Sequence, residues 1–68
     1  MKKRLFDLLI SFGFVKTTKI KNFHIFKNKN EILAFPKKLQ LYHLYYARKH
    51  LDMNGWICEN DFNKMFNL

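Results

Sequence analysis

The chain has little cysteine, proline or glycine, with one, one and two residues respectively among 68. Its one cysteine, Cys58, excludes a disulfide within the chain, so a reducing cytoplasmic setting is the simplest expectation. No apolar run approaches the ~20 residues that a membrane-spanning helix needs, and we expect no membrane association. Repeats, linkers and low-complexity stretches are also missing, which predicts a single domain over residues 1–68.

Acidic side chains are scarce as well. Five Asp and Glu residues stand against thirteen Lys and Arg, for a net charge of +8 at pH 7. Residues 1–50 carry +10 and residues 51–68 carry −2. A basic body of this kind favours a polyanionic partner, usually nucleic acid. The alternative is an A/T-rich genome that supplies lysine without a binding role, and arginine, the better phosphate ligand, occurs only twice.

The motifs that usually carry catalysis are missing too. The sequence has no phosphate-binding glycine loop, no paired carboxylates, no clustered metal ligands and no nucleophile–base pair. We therefore expect neither a cofactor nor enzymatic activity, and His24 is the single candidate for a catalytic residue.

The N-terminal segment has the spacing of a helix. Leucine and phenylalanine recur every three or four residues from Lys3 to Phe12, which predicts a helix there. Its basic and then apolar residues are also typical of a signal peptide, but Asp7 interrupts the run and no small-residue cleavage site follows. Gly13 and Phe14 form the glycine–apolar pair that commonly ends a helix.

A longer helix is predicted from about Leu39 to Asn54, and it ends in the same way, at Gly55 and Trp56. One face is apolar and is expected in the core; its residues are Leu41, Leu44, Ala47 and Leu51. The opposite face interleaves aromatic and basic residues; these are Tyr42, Tyr46, Lys49, His50 and Met53. A short third helix is expected after Cys58, with Phe62, Met65 and Phe66 on one side.

Between the first two helices the residues are β-branched and aromatic. Strands are predicted over residues 14–20, 23–27 and 31–35, with tight turns at Lys21–Asn22 and at residues 28–30. Pro36 ends the third strand because it cannot donate a hydrogen bond. The fold class is therefore α+β, in the order α-β-β-β-α-α. Its three-stranded antiparallel meander is expected to carry helices on one face and leave the other face open.

His24 lies in the second predicted strand. Alternation along this strand places Phe23 and Ile25 on one face, which we expect to be the core face, and His24 and Phe26 on the open one. A neutral imidazole on the open face would act as a general base toward a ribose 2′-hydroxyl. The alternative is a surface histidine without a catalytic role.

A zinc site built from His43, His50 and Cys58 is not expected. The two histidines are seven residues apart, or about 10 Å along a helix axis, which is too far for two ligands of one ion. Cys58 instead stands at the N-cap of the third helix, where Asp61, three residues on, helps the helix to begin.

Several short pieces resemble the HicA family of small toxins, which share the double-stranded-RNA-binding-domain fold and cleave mRNA. The pieces are "LLISFGFVK", "NFHIFK", "ILAFP" and "GWICENDF". The family's strand-two motif, Gly-Ser-His-x-x-(Phe/Tyr), is degenerate here, since Lys21 and Asn22 stand at its Gly-Ser positions. The resemblance implies the double-stranded-RNA-binding-domain fold. As an alternative function, it implies ribonuclease activity through His24.

The remaining basic and tyrosine residues form the predicted binding surface. Such residues pair with phosphates and stack on bases, or anchor a protein interface. The alternative for the lysines is a solvated surface that keeps sheet edges from pairing. The predicted set is Lys16, Lys19, Lys21, Lys27, Lys29, Lys37, Lys38, Tyr42, Tyr46, Arg48 and Lys49.

These features together predict a non-enzymatic basic binding protein. Small lysine-rich proteins of this kind are similar to the anti-CRISPR inhibitors of phages and mobile elements, which implies a bacterial host. The expected partner is therefore RNA or an RNA–protein complex such as an RNA-guided nuclease. The alternatives are the HicA-like toxin and a plain RNA-binding module.

Overall fold

A computed structural model of the chain describes residues 1–17 and 20–68. It contains three helices and a three-stranded antiparallel sheet, which confirms the predicted α+β class and element order. The elements are α1 (Lys2–Ser11), β1 (Val15–Lys16), β2 (Phe23–Asn28), β3 (Glu31–Pro36), α2 (Leu41–Met53) and α3 (Glu59–Phe66).

Both predicted glycine-terminated helix ends are confirmed. Gly13 and Gly55 have φ values of +96° and +76°, which side chains with a Cβ rarely adopt. The backbone N–H of Phe14 donates to the carbonyl of Leu9 at 3.0 Å. The N–H of Trp56 donates to the carbonyl of Leu51 at 2.8 Å in the same way. Each glycine thereby turns the chain back at the end of its helix.

The sheet has the strand order β1-β2-β3. Phe23 is opposite Pro36 and Asn28 is opposite Glu31, so a two-residue turn joins β2 to β3. In this turn, and in the turn before β2, a lysine takes the left-handed conformation, with φ values of +55° at Lys29 and +53° at Lys21.

The first strand is shorter than the predicted segment 14–20. It spans Val15–Lys16 and is followed by a bond from the Thr17 N–H to the Ile25 carbonyl at 2.8 Å. Residues 18–19 of the predicted strand lie outside the described residues, and Ile20 forms an isolated bridge with Phe23.

All three helices pack on one face of the sheet. The fully or nearly fully buried apolar residues are Leu5, Leu8, Leu9, Phe14, Phe26, Leu33, Phe35, Leu44, Ala47, Leu51 and Phe62. Three of the four apolar residues predicted for the core face of α2 belong to this set. Leu41 does not, because it is the first residue of α2 and is 53% exposed. Met65, expected to share the apolar side of α3, is also exposed.

The predicted assignment of the two sheet faces is wrong. His24 is only 7% exposed and Phe26 is fully buried, whereas Phe23 is 48% exposed. Side chains of one strand alternate between faces, so burying Phe23 and Ile25 would also have buried Lys27. An unpaired buried ammonium costs far more than a buried imidazole, and the observed register leaves Lys27 exposed.

The Glu31 carboxylate, at the start of β3, connects the sheet to the helices. Glu31 accepts hydrogen bonds from the Trp56 indole at 2.9 and 3.1 Å and contacts the His50 imidazole at 2.8 Å. The Trp56 ring in turn stacks on Phe12 and meets Phe14 edge-on. Glu31 therefore links β3 with the C-terminal ends of α1 and α2.

Replacing Glu31 with Ala should lower the free energy of unfolding by about 1–3 kcal/mol, because the indole N–H and the imidazole lose their shared partner in a half-buried site. Urea denaturation would measure the change. Glu59→Ala is the matched control, since Glu59 forms an exposed ion pair with Arg48 and its side chain is 54% exposed. Its cost should stay below about 1 kcal/mol, and equal losses in the two variants would contradict this role for Glu31.

Cys58 occupies the N-cap of α3, as the sequence predicts, but its side chain makes no capping hydrogen bond. A serine hydroxyl at this position would accept a hydrogen bond from the Asp61 N–H. Cys58→Ser should therefore stabilise the protein by about 0.5–1 kcal/mol, which is a rise of a few degrees in the thermal midpoint. Cys58→Ala controls for loss of the thiol, and a gain of the same size in that variant would refute capping as the cause.

Candidate nucleic-acid interface

The described lysines of the predicted binding surface do not form one patch. Lys37 and Lys38 follow the end of β3, next to the start of β2. Lys27 and Lys29 lie at the other end of β2. The two ends are separated by about 16 Å, the length of five residue intervals along a strand.

Two surface clefts meet at Lys2, at the start of α1. The larger one, of about 710 Å³, is lined by Lys2, Asn22, Pro36, Lys37 and Lys38. The second one, of about 370 Å³, is lined by Lys2, Lys3, Phe6, Asp7, Ile10, Lys16, His24 and Phe26. Lys2 lines both, and its ammonium donates to the Lys37 carbonyl at 3.4 Å. We call the combined site, defined by Lys2, Lys16, Lys37 and Lys38, the basic cleft.

The basic cleft carries positive charge that the chain itself does not neutralise. Asp7, the one carboxylate lining it, pairs with Lys3 at 2.8 Å, and this hydrogen bond raises the pKa of Lys3. Within residues 1–17 and 20–68, no carboxylate lies in ion-pair distance of the four lysines that define the cleft. Their side chains are exposed, so they are able to approach phosphate oxygens from solvent.

The apolar floor of the basic cleft consists mainly of Phe6. Its ring centroid lies 5.1 Å from that of His24 and 4.7 Å from that of Phe26. The Lys16 ammonium lies 5.5 Å from the same centroid, so the ring also stabilises a cation at the rim. His24 is thus held behind Phe6 and not on the exposed sheet face where the sequence placed it. A general base must come within hydrogen-bond reach of the proton it removes, and this position restricts such access.

Neither predicted tyrosine of α2 lines the basic cleft. Tyr42 is 65% exposed and Tyr46 is 44% exposed, as predicted for this face. The Tyr46 ring also packs edge-on against Phe35, with 5.8 Å between centroids. Tyr46 and Lys49 line a shallow cavity of about 250 Å³. His50 lines the same cavity, and its bond to Glu31 places it beside the start of β3, away from Lys37 and Lys38.

Arg48 was predicted to contact a ligand, but the structure places it in an internal network. Its guanidinium donates to the Asn63 side chain at 2.9 Å and pairs with Glu59 at 3.2 Å. It also lies over the Tyr45 ring, 4.8 Å from the centroid. Arg48 therefore links α2 to α3, and we exclude it from the candidate interface. Helical periodicity could not show this, because the partners come from a different helix.

The remaining predicted site residues are dispersed or undescribed. Lys21 is exposed in the turn before β2, and Lys19 lies outside the described residues. His43 accepts a hydrogen bond from the Gln40 N–H at 2.8 Å, and His50 is bound to Glu31. In the part of the chain that the structure describes, no three His, Cys, Asp or Glu residues come together as metal ligands would.

Lys2 is not in the predicted binding set, but it lines both clefts. The signal was present in the basic start of α1, yet the contact with Lys37 spans 35 residues and depends on how α1 lies on the sheet.

Comparison of the chain with protein-family models, with curated proteins and with solved structures finds no match. The resemblance to HicA toxins therefore stays a prediction, although the observed element order is the one it implies. Among the described residues, no helix has the length and apolar character required to cross a bilayer.

Replacing His24 with Ala should destabilise the protein by about 1–3 kcal/mol, because it removes a ring packed against Phe6 in the core. Thermal denaturation would measure this loss. Lys49→Ala, at an exposed position, should change stability by no more than about 0.5 kcal/mol. An equally small effect at His24 would contradict its burial.

Proposed function

We propose that this chain is a non-enzymatic binding protein whose basic cleft docks on the phosphate backbone of RNA. The observation that supports this function is the convergence of Lys2, Lys16, Lys37 and Lys38 on adjoining clefts without a neutralising carboxylate. These lysines come from α1, β1 and the segment after β3, which are far apart in sequence.

Lysine ammonium groups suit this task because they contact phosphate oxygens as point charges and do not require a particular base sequence. Four such contacts on single-stranded RNA would release about three counterions in total, at about 0.7 per contact. Binding should therefore weaken steeply with salt and depend little on sequence.

In this proposal His24 has a structural role, because it is buried behind Phe6. Asp7, which lines the same cleft, is paired with Lys3. A HicA-like ribonuclease remains the alternative, since His24 does line one of the clefts. Purified protein that hydrolyses RNA, with the activity lost in a folded His24→Gln variant, would favour the toxin over the binding protein.

The double variant Lys37→Glu/Lys38→Glu should weaken binding of a single-stranded RNA oligonucleotide by at least about tenfold and make the salt dependence shallower, because two phosphate contacts become repulsive. Fluorescence anisotropy over a range of salt concentrations would measure both quantities. The matched control is Lys29→Glu/Lys49→Glu, which changes the net charge equally at exposed positions outside the cleft.

Equal losses in the two double variants would mean that only net charge matters, and the cleft would have no specific role. The absence of saturable RNA binding by the unmodified protein would refute RNA docking altogether.

We further propose that the RNA is presented by an RNA-guided nuclease and that the protein inhibits it. This part rests on the similarity in kind to anti-CRISPR proteins, combined with the basic cleft. A cleavage assay with guide-loaded nuclease should show inhibition that the Lys37→Glu/Lys38→Glu variant loses. RNA binding without inhibition of any nuclease tested would instead favour a plain RNA-binding module.

A further inference from the structure

The sheet face opposite the helices is apolar and exposed. We call it the outer face, and its residues are Val15, Phe23, Ile25, Lys27, Ile32, Ala34 and Pro36. Val15, Lys27 and Ile32 form one cross-strand row, in which Val15 is 64% and Ile32 is 54% exposed. Phe23, at the other end of β2, is 48% exposed, and the neighbouring Ile20 is 62% exposed. Clustered apolar exposure of this kind marks an interaction site more often than scattered residues do.

The charges on and around the outer face are all positive. Lys27 lies within it, and Lys21 and Lys29 are exposed in the turns at its two ends. All five carboxylates of the chain lie elsewhere. Asp7, Asp52, Glu59 and Asp61 belong to helices, and Glu31 is bound to Trp56 and His50 on the helix side. An occupant that complements this face therefore needs an apolar centre and acidic flanks.

The size of the outer face matches one helix. Strands β2 and β3 have six residues each and are about 20 Å long, and the two-residue β1 widens the sheet to three strands, about 10 Å, beside Phe26 and Lys27. An α-helix with side chains is about 10–12 Å wide, and about 13 residues cover 20 Å. A helix placed here would complete a helix–sheet–helix sandwich, the usual way in which a sheet with two apolar faces is covered.

We propose that the outer face binds an amphipathic helix of a partner protein, with its apolar stripe on Val15, Phe23 and Ile32. Glutamate or aspartate residues that flank this stripe pair with Lys27, Lys21 and Lys29. Of the seven outer-face residues, Pro36 is the one that also lines the basic cleft, and the apolar stripe does not use it, so the inference stands whether or not the cleft binds RNA.

Two other occupants fit the outer face less well. A symmetric dimer through this face would bring the Lys27 residues of both copies into one apolar interface, with no carboxylate on either side to compensate. Nucleic-acid bases stack on aromatic rings, but Phe23 is the single aromatic residue among the seven of this face.

The test uses two synthetic helical peptides of about 14 residues. Both carry leucine at positions i, i+3, i+4 and i+7; one has glutamate beside this stripe and the other has lysine. Titration into the isotopically labelled protein, followed by amide NMR, should show saturable shifts in β1, β2 and β3 with the glutamate peptide. The lysine peptide should bind at least about tenfold more weakly.

Two variants localise the contact. Ile32→Glu introduces a carboxylate into the apolar stripe, and Lys27→Glu reverses the charge next to it; each should weaken binding of the glutamate peptide by at least about tenfold. Met53→Glu is the control, because Met53 is 75% exposed on α2, away from the sheet. Lys37→Glu/Lys38→Glu should leave peptide binding within about twofold, which separates this inference from RNA docking.

Equal binding of the two peptides, or unchanged binding in Lys27→Glu, overturns the proposal. Sedimentation of the free protein as a dimer that Ile32→Glu dissociates would identify a second copy as the occupant instead. Shifts of the outer face on addition of an RNA oligonucleotide would identify nucleic acid instead. Circular dichroism must show that Ile32→Glu is folded; if it is not, Lys27→Glu and the peptide pair still decide the outcome.

Discussion

Burial of the Phe26 ring against Phe6 and Phe35 is the constraint on which both candidate surfaces depend. The three rings lie within 4.7–6.2 Å of one another at the centre of the core. Strand alternation then requires His24 to enter the same layer and Lys27 to remain outside. The burial of Phe26 therefore places His24 away from solvent and leaves Phe23 and Ile25 on the outer face.

The placement of α1 has a second consequence. Because Phe6 packs on the sheet, the basic N-terminal turn of α1 lies beside the residues that follow β3. This brings Lys2 next to Lys37 and forms the basic cleft at the helix side of the sheet. The outer face, in contrast, is apolar at its centre. The protein thus offers two chemically different surfaces, one suited to phosphate and one suited to an apolar partner with acidic flanks.

Local patterns predicted the elements well and their mutual placement poorly. Helical spacing identified α1, α2 and α3, and Gly13 and Gly55 marked two helix ends, because a left-handed residue is needed at each. The apolar face of α2 was correct except at Leu41, since the first residue of a helix is not yet covered by the packing. The site was predicted less well. Arg48, which was in the predicted binding set, is bound within the fold. Lys2, which was not in that set, lines the basic cleft.

The amino-acid sequence by itself determined the α+β class, the order of helices and strands, the helix ends and the excess of positive charge. These follow from spacing, glycine positions and composition, which are local or additive. Only the tertiary structure decided which sheet face the helices cover, where His24 lies and which lysines meet. The physical reason is that β2 has large apolar residues on both faces, so its own alternation does not select one. The buried face of β2 is instead selected by the packing of Phe26 with Phe6 and Phe35, which belong to other elements, and by the cost of burying Lys27.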